Sequence, residues 1–287
     1  MRAAFFSPLG RAWKKFCFYF RDKLLFPVTS RIVCSQLESK RFHDYMLRKQ
    51  GRSWLNYLQR VSNPLESLSM ISHYEGFDVP ETFSQVYQNN SWGDSESKSG
   101  PGSRLEETKA VRAVLPELLR RYEVRDFVDI PCGDWNWMKT VDLDSLCYHG
   151  GDIVPELIEE NRKKFGGGNR SFEVIDLIAG PLPAGDLLLC RDCLVHLSFQ
   201  DIGRFLEHLH RSGLRYLLTT TFTDRKSNDD IVTGNWRRIN LEIAPFHFPE
   251  PLERIVEGST ERRNKDSDKC LALWEVGQLP KQLHGRG

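Results

Sequence analysis

A chain of 287 residues with 40% hydrophobic and 28% charged residues has the composition of a globular protein that buries a sizeable core. That composition excludes collagen, a long coiled coil and full disorder, and no apolar run approaches the ~20 residues of a membrane-spanning helix. The net charge of +1 hides an asymmetry, because residues 1–60 carry 13 Lys and Arg against three Asp and Glu.

The first thirty residues are basic and aromatic. Leu9, Trp13, Phe16, Phe20 and Leu24 recur at helical spacing, with Lys14, Lys15, Arg21 and Lys23 mostly off that face. Three readings stay open: a helix packed on its own domain, a peripheral membrane contact through residues 1–30, and an organellar transit segment. Seven cysteines without framework spacing suit an intracellular, cytoplasmic chain. A second helix is expected over 35–61, ended by Asn63-Pro64. Residues 75–92 are mixed, and Gly93 to Ser103 is a loop by composition. Ser103 with Glu106 reads as a capping box for a helix running to about Tyr122.

From residue 126 short apolar strands alternate with amphipathic helices. Strands are expected at 126–130, 146–151, 171–176, 185–190 and 214–222, and helices at 136–143, 155–165 and 199–212. Two last strands, 252–258 and 270–276, read as an antiparallel hairpin at the sheet edge. The fold class is therefore α/β: a doubly wound, Rossmann-like sheet with helices on both faces, preceded by an N-terminal helical extension. The boundaries are 1–75 for the extension, 76–104 for a connecting segment that is a candidate lid, 105–277 for the domain and 278–287 for a flexible tail.

The chemistry sits at the strand ends. The first strand closes on Asp129 and a turn with one glycine, Gly133, followed by Asp134 and Trp135. A dinucleotide turn needs several glycines around its pyrophosphate, so NAD and FAD are disfavoured. A carboxylate there suits a cationic ligand. The second strand closes on Asp152 and Ile153, placed to hold a ribose, and the third on Asp176 and Leu177, placed to hold an adenine. Three acids at three consecutive strand ends describe a pocket for S-adenosylmethionine.

The segments DIPCGDWNWM, YHGGDI, EVIDL and CRDCLVHLS resemble the class I S-adenosylmethionine-dependent methyltransferases over roughly 105–277. WGDSESKSGPGS, GGDIVPELIEEN, LLTTTF and NWRRINLEIAPFHFPEP look like a bacterial-type branch, some of whose members are thought to act on sugars or glycans. The resemblance implies that Asp129 and Gly133 shape the turn near the methionine moiety and that Asp134 approaches its amino group. It implies that Asp152 holds the ribose, that Asp176 and Leu177 hold the adenine, and that Cys190 and Arg191 line the reacting methyl. Pro131 and Trp135 depart from the usual glycines of this turn.

An oxygen acceptor must lose a proton. His196 follows Asp192 by four residues, so Asp192 is a candidate to orient His196 as base. Asp192 with Asp224 is a thin candidate for a magnesium site, and no metal is expected. The segment 228–251 mixes Trp236, Arg237, Arg238, Asn240 and His247 with apolar residues, a composition suited to a small polar acceptor such as a sugar. No (Asp/Asn)-Pro-Pro-aromatic turn follows the fourth strand, which argues against a nucleic-acid partner. The alternatives to a sugar hydroxyl are a protein or lipid-linked acceptor, or a non-catalytic binding module.

Overall fold

The computed structural model of the chain describes residues 78–260 and 266–283. The helices expected within 1–75 lie outside the described residues. Seven strands form one sheet: β1 (Asp126–Asp129), β2 (Cys147–Asp152), β3 (Arg170–Val174), β4 (Leu187–Cys190), β5 (Tyr216–Phe222), β6 (Glu253–Val256) and β7 (Lys269–Glu275). Their order is β3-β2-β1-β4-β5-β7-β6, parallel from β3 to β5. β7 runs antiparallel to β5 over seven residue pairs, Tyr216–Glu275 to Phe222–Lys269, and antiparallel to β6 outside it. This is the doubly wound, Rossmann-like sheet expected, with β3 and β6 as its two edges. β6 is half-buried, with Ile255 inward and Val256 outward, as an edge strand should be.

Side chains alternate between two cores because successive strand residues point to opposite faces. Phe127, Leu187, Leu189, Leu218, Leu271 and Leu273 join Leu115 and Leu119 of α2 (Lys109–Arg121) and Ile158 of α3 (Pro155–Phe165). Val128, Leu188, Leu217, Ala272 and Trp274 join Ile202, Phe205 and Leu209 of α4 (Phe199–Arg211) on the other face. Burying each such Leu, Val or Phe contributes about 1.5–3 kcal/mol, which explains strands apolar on both faces. α4 starts where the Ser198 side chain accepts the Asp201 N–H at 3.1 Å.

Three expectations are corrected. The mixed segment 75–92 contains a helix, α1 (Val79–Gln88), capped by Asp78 accepting the Glu81 N–H at 2.8 Å. The helix expected from Ser103 begins only at Lys109, and Ser103 lies in a short 3-10 turn. Tertiary partners take the groups that would have started it: Arg104 turns to Asp94, and Glu107 accepts from the Ser259 hydroxyl at 2.9 Å. The helix expected over 136–143 is a single 3-10 turn, Met138–Thr140. Trp135 stands at φ +57° and Trp137 and Met138 are buried one by one. The Asn136 amide donates to Glu96 and to the Ser103 carbonyl, which holds this stretch open.

The strand order reverses between β1 and β4, so the crevice beyond their carboxyl ends is where an open α/β sheet binds ligands.

Candidate functional site

A cavity of about 630 Å³ opens at that crevice, a size that suits a ligand of several hundred daltons. Its floor is the turn after β1. Gly133 stands at φ +55°, and a Cβ there would run into the Ser99 hydroxyl. The turn is pinned on three sides. Cys132 N–H donates to the Gly151 carbonyl at 2.8 Å, Gly133 N–H to Asp152 at 3.1 Å, and the Asn161 amide to the Gly133 carbonyl at 2.8 Å.

Asp129 and Asp152 flank this turn, both buried and both on the cavity wall. Asp129 accepts the Tyr148 hydroxyl at 2.7 Å, and Asp152 accepts the backbone N–H groups of Gly133 and Val154. Burial pushes Asp129 up to about 7, against the Tyr148 hydrogen bond. Burial likewise pushes Asp152 up to about 6, against its backbone N–H donors. The hydrogen-bond partners of the pair are a phenol and backbone amides, none of them a cation. A positively charged ligand would relieve both. Asp176 and Leu177 line the wall after β3, where the Asp176 carboxylate accepts the Ile178 N–H at 2.7 Å. Ile153 and Arg191 also line the cavity.

Two expected cofactor residues stand elsewhere. Cys190 is fully buried in the core beneath the site, and its near neighbour Cys193 lines the cavity, as does Cys132 of the turn after β1. A hydrogen bond with Cys190 and burial raise the Cys193 thiol well above its ordinary range. Asp134 does not line the cavity. It faces the loop before α2 and accepts from the Ser97 hydroxyl at 2.9 and 3.0 Å and from the Lys98 N–H at 2.9 Å.

The other half of the cavity is aromatic and charged. Asp192, at φ +52°, lies against the Lys269 ammonium at 2.7 Å and the Arg191 guanidinium at 3.2 Å. Arg191 in turn grips buried Glu257 at 2.6 Å, and Lys269 reaches the same carboxylate at 3.3 Å. Burial alone would raise Asp192, but Lys269 and Arg191 outweigh it and hold its carboxyl well below the usual range. His196 sits in a 3-10 turn, Leu194–His196, rather than a helical one. Its Nδ1 lies 2.8 Å from the Asn235 carbonyl and its ring 5.4 Å from the Trp92 ring. The expected orienting contact between Asp192 and His196 is thus replaced. The Asp192 carboxylate is taken by two cations, and a backbone carbonyl orients the imidazole. Burial pulls His196 down to about 4, so it is neutral near pH 7.

Of the acceptor residues expected in 228–251, Trp236 lines the cavity. Arg237 turns inward and is buried, Asn240 binds the Thr223 and Arg225 carbonyls, and His247 is exposed. Asp224 is exposed and outside the cavity wall. Among the described residues no group of three or more His, Cys, Asp or Glu is placed to hold a metal ion. No helix among them is long and apolar enough to cross a membrane. Lys269, Glu257, Glu107 and Trp92 were not legible as site residues. They come from a strand start, two loops and a turn, and no spacing links them.

No protein-family model matches the chain, and no curated protein matches it in sequence. Solved structures similar to it include three methyltransferases. Phosphoethanolamine N-methyltransferase 1 of Haemonchus contortus, in complex with phosphoethanolamine and S-adenosylhomocysteine, is 14% identical over 71% of this chain, at TM-score 0.49. The match spans about half, 51%, of that protein's chain. A methyltransferase from Leishmania major is 14% identical over 70% of this chain and 88% of its own, at TM-score 0.49. Human N-acetylserotonin methyltransferase, in complex with its methyl donor, is 18% identical over 80% of this chain and 68% of its own, at TM-score 0.44. The fold stands on the strand order and pairings of the sheet itself.

Proposed function

We propose that this protein transfers a methyl group from S-adenosylmethionine to a small polar acceptor, with a sugar hydroxyl as the first candidate. One observation carries the reading. Three carboxyl groups, Asp129, Asp152 and Asp176, line one cavity at three adjacent strand ends, and the two buried ones have no cation among their hydrogen-bond partners. That donor set fits a ligand with an ammonium or sulfonium, a ribose and an adenine.

Asp129 and the Gly133 turn would face the amino-acid end. Asp152, beside Ile153, would accept the ribose hydroxyls. Asp176 and Leu177 would hold the adenine edge, and Arg191 and Cys193 would border the reacting centre, with Cys190 packed beneath. The bound cofactor supplies an electrophilic methyl group. The chain's part is alignment, exclusion of water and acceptance of the acceptor's proton. His196 is the proton acceptor in this reading. Its Nδ1 is engaged by a carbonyl, which leaves Nε2 with its lone pair. Asp192 keeps a supporting role through Lys269 and Arg191. Loop Ser97–Ser103 closes over the turn as a lid, with Asp134 as its clasp.

Trp92 and Trp236, both part-exposed on the cavity wall, support a ring-shaped polar acceptor, since aromatic faces pack against the C–H faces of sugars. The basic segment 1–30 supports, by charge alone, a peripheral contact with an anionic membrane. The test is calorimetric titration of S-adenosylmethionine and its demethylated product, with Asp152→Ala as control, followed by labelled methyl transfer to sugars. Saturable binding that the control loses supports the site. No binding by folded protein overturns it.

A further inference from the structure

The segment 229–237 is wrapped tightly around the turn that carries His196, and the described function does not explain why. Gly234 N–H donates to the His196 carbonyl at 2.8 Å, and Arg237 N–H to the Val195 carbonyl at 3.0 Å. The Arg237 guanidinium is buried and donates to three backbone carbonyls: Leu194 at 2.7 Å, Leu197 at 2.6 Å and Asp229 at 3.2 Å. Every carbonyl of the turn Leu194–Leu197 is therefore held by this one segment or by the turn itself. A buried guanidinium held by backbone carbonyls and the Phe199 ring is costly to desolvate, and burial lowers it to about 10. Its rigid fork fixes the spacing of the groups it binds.

The same segment supplies the Asn235 carbonyl, 2.8 Å from His196 Nδ1. A carbonyl oxygen can only accept, so Nδ1 must carry the proton. The opposite tautomer would set one lone pair against another at that distance. Free histidine favours the Nε2–H form, so the protein works against the intrinsic preference. Trp92 at 5.4 Å and Phe83, edge-on at 6.5 Å, hold the ring plane from the cavity side.

We propose that residues 229–237 form a tautomer clamp, in which the Asn235 carbonyl fixes the His196 proton on Nδ1 and Arg237 locks the turn behind it, so that Nε2 meets the acceptor as a lone pair. Arg237 is a positioning residue here, because it touches the turn and not the cavity. The inference rests on the reading of His196 as proton acceptor. In the transfer, the acceptor's O–H bond breaks and its proton goes to Nε2. The oxygen pair forms the new bond to carbon, and the carbon–sulfur pair stays on sulfur.

The experiment is a long-range ¹H–¹⁵N spectrum of the full chain near neutral pH, with His196→Gln to assign the signal. A dominant Nδ1–H form is expected, and a dominant Nε2–H form overturns the clamp whether or not the protein transfers methyl groups. The Nδ1–H form in a protein that binds no S-adenosylmethionine would uphold the clamp and remove the methyltransferase reading, so the two failures are distinct. Arg237→Gln should shift signal toward the Nε2–H form and lower kcat about tenfold to a hundredfold. Affinity for S-adenosylhomocysteine should stay within about twofold, since Arg237 does not line the cofactor half. Arg237→Lys, which keeps one or two carbonyl bonds, should fall between. An unchanged tautomer and kcat in Arg237→Gln would overturn the role of Arg237. If that variant does not fold, the wild-type spectrum still decides.

Discussion

The Ser97 hydroxyl meets both carboxylate oxygens of Asp134, at 2.9 and 3.0 Å, and so ties the loop before α2 to the turn after β1. The same carboxylate accepts the Lys98 N–H, and Asp134 N–H donates back to the Ser99 hydroxyl at 2.9 Å. One residue thus latches a segment whose Ser99 side chain fills the space beside Gly133.

If that loop covers the cofactor, Asp134→Ala should weaken S-adenosylmethionine binding about tenfold, through faster release, because each charge-assisted hydrogen bond contributes about 1.5–3 kcal/mol and some is recovered by water. Stopped-flow association and dissociation rates check this. An unchanged release rate would show that the loop is a wall and not a lid.

Asp129 and Asp152 make binding depend on pH. Burial raises both, to about 7 and about 6, and a cationic ligand prefers the ionised forms. Affinity for S-adenosylmethionine should therefore fall as pH drops from 8 to 6, by about tenfold, as the carboxyls protonate. Calorimetry at several pH values reads it. A flat profile would separate the ligand's charge from this pair.

The same burial has a cost in stability. Unfolded Asp129 ionises near pH 3.9, the folded group near 7, so the unfolded chain releases its proton first. The favourable neutral form contributes fully below about pH 4 and is lost as pH rises through about 7. Asp129→Asn should raise Tm by about 4–8 °C at pH 8, little at pH 4, and weaken cofactor binding about tenfold at pH 8. Thermal scans at the two pH values decide it.

His196→Ala should lower kcat by about a hundredfold or more while sparing cofactor affinity. Because burial holds the imidazole near 4, the acid limb of kcat should not fall at the ordinary histidine value of about 6.5. A limb near 6.5 that disappears in the variant would show an exposed, protonatable imidazole.

Glu257 pairs with two buried cations, Arg191 and Lys269. Glu257→Gln leaves both short of charge and should destabilise the protein by about 3–5 kcal/mol, read by urea unfolding. A loss below about 1 kcal/mol would mean that water reaches the cluster.

The unbroken apolar runs Phe127-Val128 and Leu187 to Leu189, set between amphipathic helices, and the turn residues after each strand made the parallel sheet, and the acids at its ends, legible in the sequence. Local chemistry determines these, because a strand apolar on both faces must be covered on both faces. The pattern failed at 103–108 and 136–143, where Arg104, Glu107 and Asn136 bond to residues remote in the chain or across the turn. Tertiary structure alone decided the rest. It withdrew Asp134 from the cavity to the loop, gave Asp192 to Lys269 and Arg191, and turned His196 to the Asn235 carbonyl. The physical reason is that hydrophobic periodicity is written along the chain. The partner of a buried charge or imidazole is chosen by whichever group, many residues away, the fold brings within hydrogen-bond reach.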